Sequence, residues 1–462
     1  MEDSIILLKN CFYVATFNDS MDELSGSDIL IKGNRIEKIE ESIELTPPEK
    51  GRVEIIDCSK YLVMPGMINT HHHLFQNLTR NLPAIQGVKL FDWLTSLYPI
   101  WACIDEEAIY YSTLLGCGEL LKTGATTTTD HHYIYPENFK GDLLGIQFDA
   151  ASKLGIRFSP SRGSMTMSKK NGGLPPDELS QSTEEVLKDS QRVIEEFHDS
   201  SPLSMRRIAL APCSPFSAGG DLMRETASLA RAYNVTLHTH LAESLSEEEY
   251  CQERFGKRPL ELMEELNWVG EGVSFAHGIH FNDSELDLLR ETKTSISHCP
   301  TSNMRLGSGI ARVCEMLGLG ITVGLGVDGS SSNDSSDMLG EVRNAMLLQR
   351  VKYGPSGLSA REALELAIKG GAKILNFTAL GSIEVGKGAD IVMFDINCLQ
   401  YAGGLSDPLA CVVFAGFNHE TAYTIVNGKI VVREGKLVNF DEGEIVENVN
   451  RISARIIAQI NL

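Results

Sequence analysis

Between residues 60 and 330 the chain alternates short apolar or β-branched runs with polar loops and longer stretches whose apolar residues recur at helical spacing. That rhythm predicts a parallel sheet with helices packed outside it. The runs begin at Tyr61 (YLVMPGMINTHHH), Thr126 (TTTTD), Ile156 (IRFSPSR), Ile208 (IALAPC), Thr236 (TLHTH), Val273 (VSFAH), Ser295 (SISHC) and Ile321 (ITVGLGVD). Eight parallel strands are what a closed (β/α)8 barrel requires. Amphipathic segments such as 105–124 and 221–234 lie between them.

The two ends have another texture. Residues 1–59 and 380–440 alternate apolar and polar positions around Gly-Asn and Asn-Gly turns, the pattern of antiparallel strands. The expected fold is therefore α/β: a TIM barrel over residues 60–379, carrying a small β-sandwich built from 1–59 and 380–462, the last part also helical. One long polar loop interrupts the barrel, MSKKNGGLPPDELSQS from Met167, a candidate lid.

Composition narrows the partners. The 462 residues carry 62 acidic against 41 basic side chains, a net charge of −21. Such a surface repels phosphate backbones and anionic lipid, which argues against nucleic acid and membrane and for a small-molecule substrate. The ten cysteines form no C-x-x-C pair, no apolar run reaches membrane-spanning length, and the first residues lack a signal-peptide pattern. These features place the chain in a reducing compartment, the cytoplasm.

In barrel enzymes chemistry collects at the carboxyl ends of the strands. Here those ends carry His71, His72 and His73, then Asp130, His131, His132 and Tyr133, then Arg162, His238 and His240 with Glu243 beyond, His277, His298 and Asp328. A single buried histidine is more often structural than a ligand, but five strands ending in His or Asp on one rim outweigh that reading. Strand alternation puts His71 and His73 on one face and His72 on the other, so the outer two can share one ion. Imidazole suits zinc or iron, and a third histidine with one carboxylate completes a site that leaves a position for water.

The segments PGMINTHHHLFQNLTR, LHTHLAES, SFAHG, SHCPTSNMRLGSGIA and GLGVDGSSSN resemble, in order and spacing, the amidohydrolase superfamily in its branch of heterocyclic-base deaminases and triazine hydrolases. HHYIYP, SRGSM, NGGLPPD and RVKYGP are similar to the oxopurine deaminases of that branch, those acting on 8-oxoguanine first. The resemblance implies one divalent metal, zinc ahead of iron, on His71, His73, His240 and Asp328. It makes Glu243 the acid/base for a ring nitrogen, His277 the residue that steers the attacking water, Asp328 the first proton acceptor and Gln76 a substrate contact. His298, Asn303 and Ser331 are family-typical, as active-site or supporting residues. A homodimer or larger assembly is usual in the family.

Further features sharpen the class. The fourth run ends LAPCSPFS without the lysine that binuclear members carboxylate, so a single metal is expected. Expulsion of an amine needs proton delivery, which Glu243 supplies, so deamination of a cyclic amidine is favoured over dechlorination. Tyr133 and Arg162 sit where amide, phenol and guanidinium groups read a carbonyl or ring nitrogen, or else support the residues that do. Isoxanthopterin, guanine and hydroxyatrazine-type rings present the same amidine edge and stay open as alternatives. A binding protein that merely kept the fold would have lost a ligand or Glu243, and neither is lost. GLGVDG and GSIEVGKG mimic nucleotide loops, but the first contains Asp328 and opens into SSSNDSSD, and the second has Gly388 where a magnesium-binding hydroxyl belongs.

Overall fold

The computed structural model describes residues 4–46, 53–415, 417 and 419–460. The outermost residues of the expected terminal domain, 1–3 and 461–462, lie outside them. All eight expected barrel strands are present: β1 (Met67–Asn69), β2 (Ala125–Thr128, resuming at His131–His132), β3 (Arg157–Phe158, resuming at Ser161–Ser164), β4 (Ala209–Pro212), β5 (Thr236–Leu241), β6 (Val273–His277), β7 (Ser295–His298) and β8 (Val323–Leu325). Each pairs in parallel with the next in sequence. The ring closes between β8 and β1, where Thr70 N–H donates to Leu325 O at 2.9 Å and Asp328 N–H to His71 O at 3.0 Å.

Helices cover the barrel because each has a defined start and one apolar stripe. Asp105 caps Glu106–Lys122 by accepting from Ala108 N–H, and Ser182 with Glu185 forms a reciprocal cap on Thr183–Phe197. The largest apolar cluster joins barrel and helices, from Leu97 and Trp101 through Leu210, Phe275 and Leu325 to Ala345 and Leu364.

The termini build two further sheets. One has the order Arg35–Glu40, Ser27–Lys32, Ile5–Cys11, Val53–Asp57; the other runs Lys436–Leu437, Lys429–Arg433, Tyr423–Val426, Ile391–Asp395, Tyr61–Pro65, Tyr13–Ala15, Glu23–Leu24. Ile6, Leu8, Ile29, Ile31, Val63, Ile391 and Ile425 form a separate core between them. The run expected as one barrel strand from Tyr61 is thus two strands. Tyr61–Pro65 belongs to the terminal sheet, antiparallel to Ile391–Asp395, and the chain crosses at Gly66, whose N–H donates to Asp390 O while Met67 N–H donates to Gly124 O. A continuous apolar run is buried on both sides of that crossing, so hydrophobicity alone cannot mark it. Among the described residues, no helix is long and apolar enough to cross a membrane.

Candidate metal centre and catalytic pocket

Four imidazoles, those of His71, His73, His131 and His240, gather at the carboxyl ends of β1, β2 and β5, all buried, each offering a ligand atom within 4.8 Å of the others. Their outer hydrogen bonds settle which nitrogen faces inward. His73 Nδ1–H donates to His131 O at 2.7 Å and His240 Nδ1–H to Cys213 O at 2.6 Å. Both rings therefore present an Nε2 lone pair, and those two atoms approach to 3.0 Å. Two neutral acceptors facing each other repel, so a cation between them is the arrangement their chemistry calls for.

His71 extends the pattern. Its Nδ1 lies 2.8 Å from His238 Nε2, and His238 Nδ1 lies 2.8 Å from Ser274 Oγ, which in turn donates to Leu237 O. One direction of donation satisfies the whole chain, with His71 Nδ1–H donating, and it leaves His71 Nε2 buried without a hydrogen-bond partner. The Asp328 carboxylate completes the set, with Oδ1 3.5 Å from His71 Nε2 and 3.3 Å from His73 Nε2. Three inward imidazole nitrogens and one carboxylate fit a divalent metal. Burial, first of all, holds His71 and His73 well below the ordinary imidazole value and His240 at about 4, so these rings stay neutral and free to ligate. His131 turns its Nε2–H to Ala211 O and keeps Nδ1 unpaired beside the cluster.

His72 points the other way, to Ser336 Oγ at 2.9 Å. The glycines of GLGVDG make room for the site. A Cβ at Gly326 would lie 2.4 Å from His71 Cβ, and one at Gly329 would lie 2.0 Å from Gln76 Oε1.

Beside the imidazoles opens a small pocket lined by His73, Gln76, Tyr133, His240, Glu243, His277, Asp328 and Ser332, and closed by Leu90, Trp93, Leu94, Cys213, Phe216 and Leu306. His277 sits at φ +71° and Asp328 at φ +64°, left-handed conformations that cost roughly 1–3 kcal/mol each for residues other than glycine. His277 Nδ1 bonds Asn303 Oδ1 at 2.9 Å, which turns Nε2 toward Glu243 Oε2 at 3.6 Å and Asp328 Oδ2 at 3.9 Å. Burial opposes a charge on His277, yet the two carboxylates win and its proton affinity rises. Burial raises Glu243, so both groups facing the pocket hold a proton more readily than they would in water.

Gln76 stands in the 3-10 turn Leu74–Thr79 that follows the histidines, started where Leu74 N–H meets Asp130 Oδ1 at 2.7 Å, and its Oε1 has no partner. Ser331 lies behind it, bonded to Thr79 Oγ1 at 2.6 Å and to Gln76 O at 3.2 Å. His298 is fully buried with neither ring nitrogen hydrogen-bonded. Arg162 is a correction. It pairs with outward-facing His132 on the neighbouring strand, and its guanidinium bonds Asp189 at 2.7 Å, Gln181 at 3.1 Å and Gly163 O while stacking 3.8 Å over Tyr135, in a different cavity. Strand parity turns it away: the residue is at the right strand end but one position out of phase.

Residue-type reasoning missed the pocket's apolar wall. Leu90, Trp93 and Leu94 come from the helix Leu90–Trp101, whose i, i+3, i+4 stripe is also what a core-facing helix shows. Trp93 is tied to the site by its indole N–H, 3.4 Å from Ser331 O. The polar loop 167–182 does not line the pocket; Tyr250 and Arg254 hold it through Gly172 O and Asn171 O.

The model of the amidohydrolase family matches residues 62–431. The chain is 40% identical to the 8-oxoguanine deaminase of Pseudomonas aeruginosa over 402 residues, covering 87% of this chain and 89% of the relative. It is 37% identical to the hydroxydechloroatrazine ethylaminohydrolase of Pseudomonas sp. strain ADP over 94% of this chain and 92% of the relative. Among solved structures, the zinc complex of an atrazine chlorohydrolase from Arthrobacter aurescens TC1 superposes with a TM-score of 0.92 at 30% identity, over 97% of this chain and all of that one. The imidazole cluster, the barrel that presents it and these matches agree: the chain belongs to the amidohydrolase family, as a metal-binding hydrolase that cleaves C–N bonds by hydrolytic deamination.

Proposed function

We propose that this protein deaminates a small aminated oxopurine, 8-oxoguanine, to urate and ammonia, using one zinc ion held by His71, His73, His240 and Asp328. The observation that carries the reading is the placement of His277 Nε2 within 4 Å of both the Glu243 and the Asp328 carboxylates, in the pocket that the inward-facing imidazoles line. When bound, a divalent cation supplies a water acidified enough to act as nucleophile near neutral pH.

The protein's own groups do the rest. Asp328 accepts the proton of the attacking water, and protonated His277 orients its oxygen. Glu243 gives a proton to the ring nitrogen beside the amino-bearing carbon as the C–O bond forms. The proton held at Asp328 then passes to the amino group, the C–N bond breaks and ammonia leaves as the hydroxyl on the same carbon becomes the carbonyl, its proton returning to Glu243. Gln76 offers its unpartnered Oε1 to a ring N–H, and Tyr133 packs beside it against His73, with ring centroids 5.1 Å apart. Cys213 takes no part as a nucleophile, because burial pushes its thiol up to about 12.

The wall supports a neutral ring over an anionic conjugate. Among the described residues no Lys or Arg lines the pocket, so a carboxylate or phosphate on the substrate would be buried without a partner. A second reading, removal of an alkylamine from a hydroxytriazine, is favoured by the same apolar collar of Leu90, Leu94, Phe216 and Leu306. The usual homo-oligomer of the family extends the proposal to assembly. Metal analysis and ammonia release from 8-oxoguanine, guanine, isoxanthopterin and N-ethyl hydroxytriazines test it. Preferred turnover of 8-oxoguanine supports the first reading, ethylamine release from the triazine replaces it with the second, and no turnover of any ring overturns both.

A further inference from the structure

We infer that Glu247 is a positioning residue that fixes Glu243 for proton transfer, an assignment that rests on the role of Glu243 proposed above. Its carboxylate is fully buried and, among the described residues, has no Lys or Arg partner. Instead its two oxygens each accept a main-chain N–H, Oε1 from Ala242 at 3.0 Å and Oε2 from Glu243 at 2.9 Å.

The local sequence makes this arrangement unusual. Ser244 is the N-cap of the helix Leu245–Phe255, accepting from Glu247 N–H, so Ser244-x-x-Glu247 reads as a capping box. In that motif the glutamate returns to the N–H of the cap residue itself. Here it reaches past Ser244 to the two residues before it. Those are Glu243 and Ala242, the latter at φ +55°, a left-handed conformation disfavoured for alanine by roughly 1–2 kcal/mol. Ala242 is gripped from its carbonyl side as well, where Ile279 N–H and His280 N–H donate at 2.9 and 3.0 Å. That second grip comes from the segment just after His277. The turn that leaves β5 is thereby locked to β6, and Glu243 is held 3.6 Å from His277 Nε2. A helix-capping need alone would be met by Ser244; the burial of a carboxylate between two amides is accounted for by the strained turn it holds.

Removing one acceptor should misplace Glu243 without touching metal or substrate groups. Glu247→Gln turns an amide NH2 toward a main-chain N–H, and kcat is expected to fall about 100-fold, the scale of a 1 Å misplacement, with KM and metal content unchanged. Glu247→Asp, which folds under milder strain but spans only one of the two amides, should lose about tenfold by the same misplacement. In a Glu243→Gln background, Glu247→Gln should add almost nothing, because the two act as one unit. Wild-type kcat in both Glu247 variants, or the same fold-loss with and without Glu243, overturns the inference. Hydrogen exchange at the Ala242 and Glu243 amides separates the two claims. Faster exchange in Glu247→Asp together with an active Glu243→Gln enzyme would mean that the grip is real and the role given to Glu243 is wrong.

Discussion

His71 Nδ1 and His238 Nε2 lie 2.8 Å apart, and the pair is terminated by Ser274. His238 is therefore the residue that sets the tautomer of His71 and turns its Nε2 inward. Outer hydrogen bonds of this kind typically contribute 10–100-fold in metal affinity, so His238→Ala is expected to weaken zinc binding about that much in a chelator competition while the fold persists. Unchanged affinity would remove His238 from the metal site.

The neighbouring histidines should separate cleanly. His72→Asn keeps its ion, since His72 contacts Ser336 on the far side of the strand, whereas His73→Asn loses one of two converging lone pairs and with it most of the bound metal. Metal content after dialysis of the two purified variants reads the difference.

Gly329 has no room for a side chain, and the atom it would strike is Gln76 Oε1. Gly329→Ala should displace the Gln76 amide and cost one substrate hydrogen bond, about 1 kcal/mol or severalfold in KM, with metal content unaffected. Steady-state kinetics on the preferred base checks this.

Stability should fall on acidification. Burial is the leading cause that holds eight histidines neutral, namely His71, His72, His73, His131, His132, His238, His240 and His298, with His132 and His298 at about 3. Unfolded, they titrate near 6.5, so below that pH, down to their folded values, the unfolded chain binds more protons and stability is lost as pH drops. Four buried carboxyls, Asp130, Glu243, Glu247 and Glu341, are raised and act in the opposite sense between the unfolded carboxylate range and their folded values, and so does His277, whose proton affinity is raised. Eight groups outweigh five, and each of the eight contributes up to about 1.4 kcal/mol per pH unit. The calorimetric Tm should therefore decline steadily from pH 6.5 to 5; a Tm that rises over that interval contradicts the assignment of neutral imidazoles.

Much of this was legible in the chain because two periodicities carry it. The rhythm of apolar runs marked eight barrel strands, and the period of two within a strand separated His72 from His71 and His73. The same period also explains a miss: Arg162 stands at a strand end, but reading strand three as unbroken through Pro160 hid the register that turns its side chain outward. Tyr61–Pro65 reads as barrel in the sequence because an apolar run looks the same in either sheet. Leu90, Trp93 and Leu94 were invisible as pocket wall, since an amphipathic stripe carries no sign of whether it covers protein or substrate. The hold of Glu247 on Glu243 needed the folded turn, because Ser-x-x-Glu spells an ordinary helix cap.

The central claim is that Glu243 moves a proton for hydrolytic deamination while His71, His73, His240 and Asp328 hold the metal. The most direct measurement is ammonia release from 8-oxoguanine by the zinc-loaded protein and by its Glu243→Gln variant, with metal content determined on the same samples. The account predicts rapid release by the parent, a loss of at least about 100-fold in the variant, in keeping with general acid–base catalysis, and equal zinc in both. Full activity in Glu243→Gln, or loss of zinc along with activity, would contradict it.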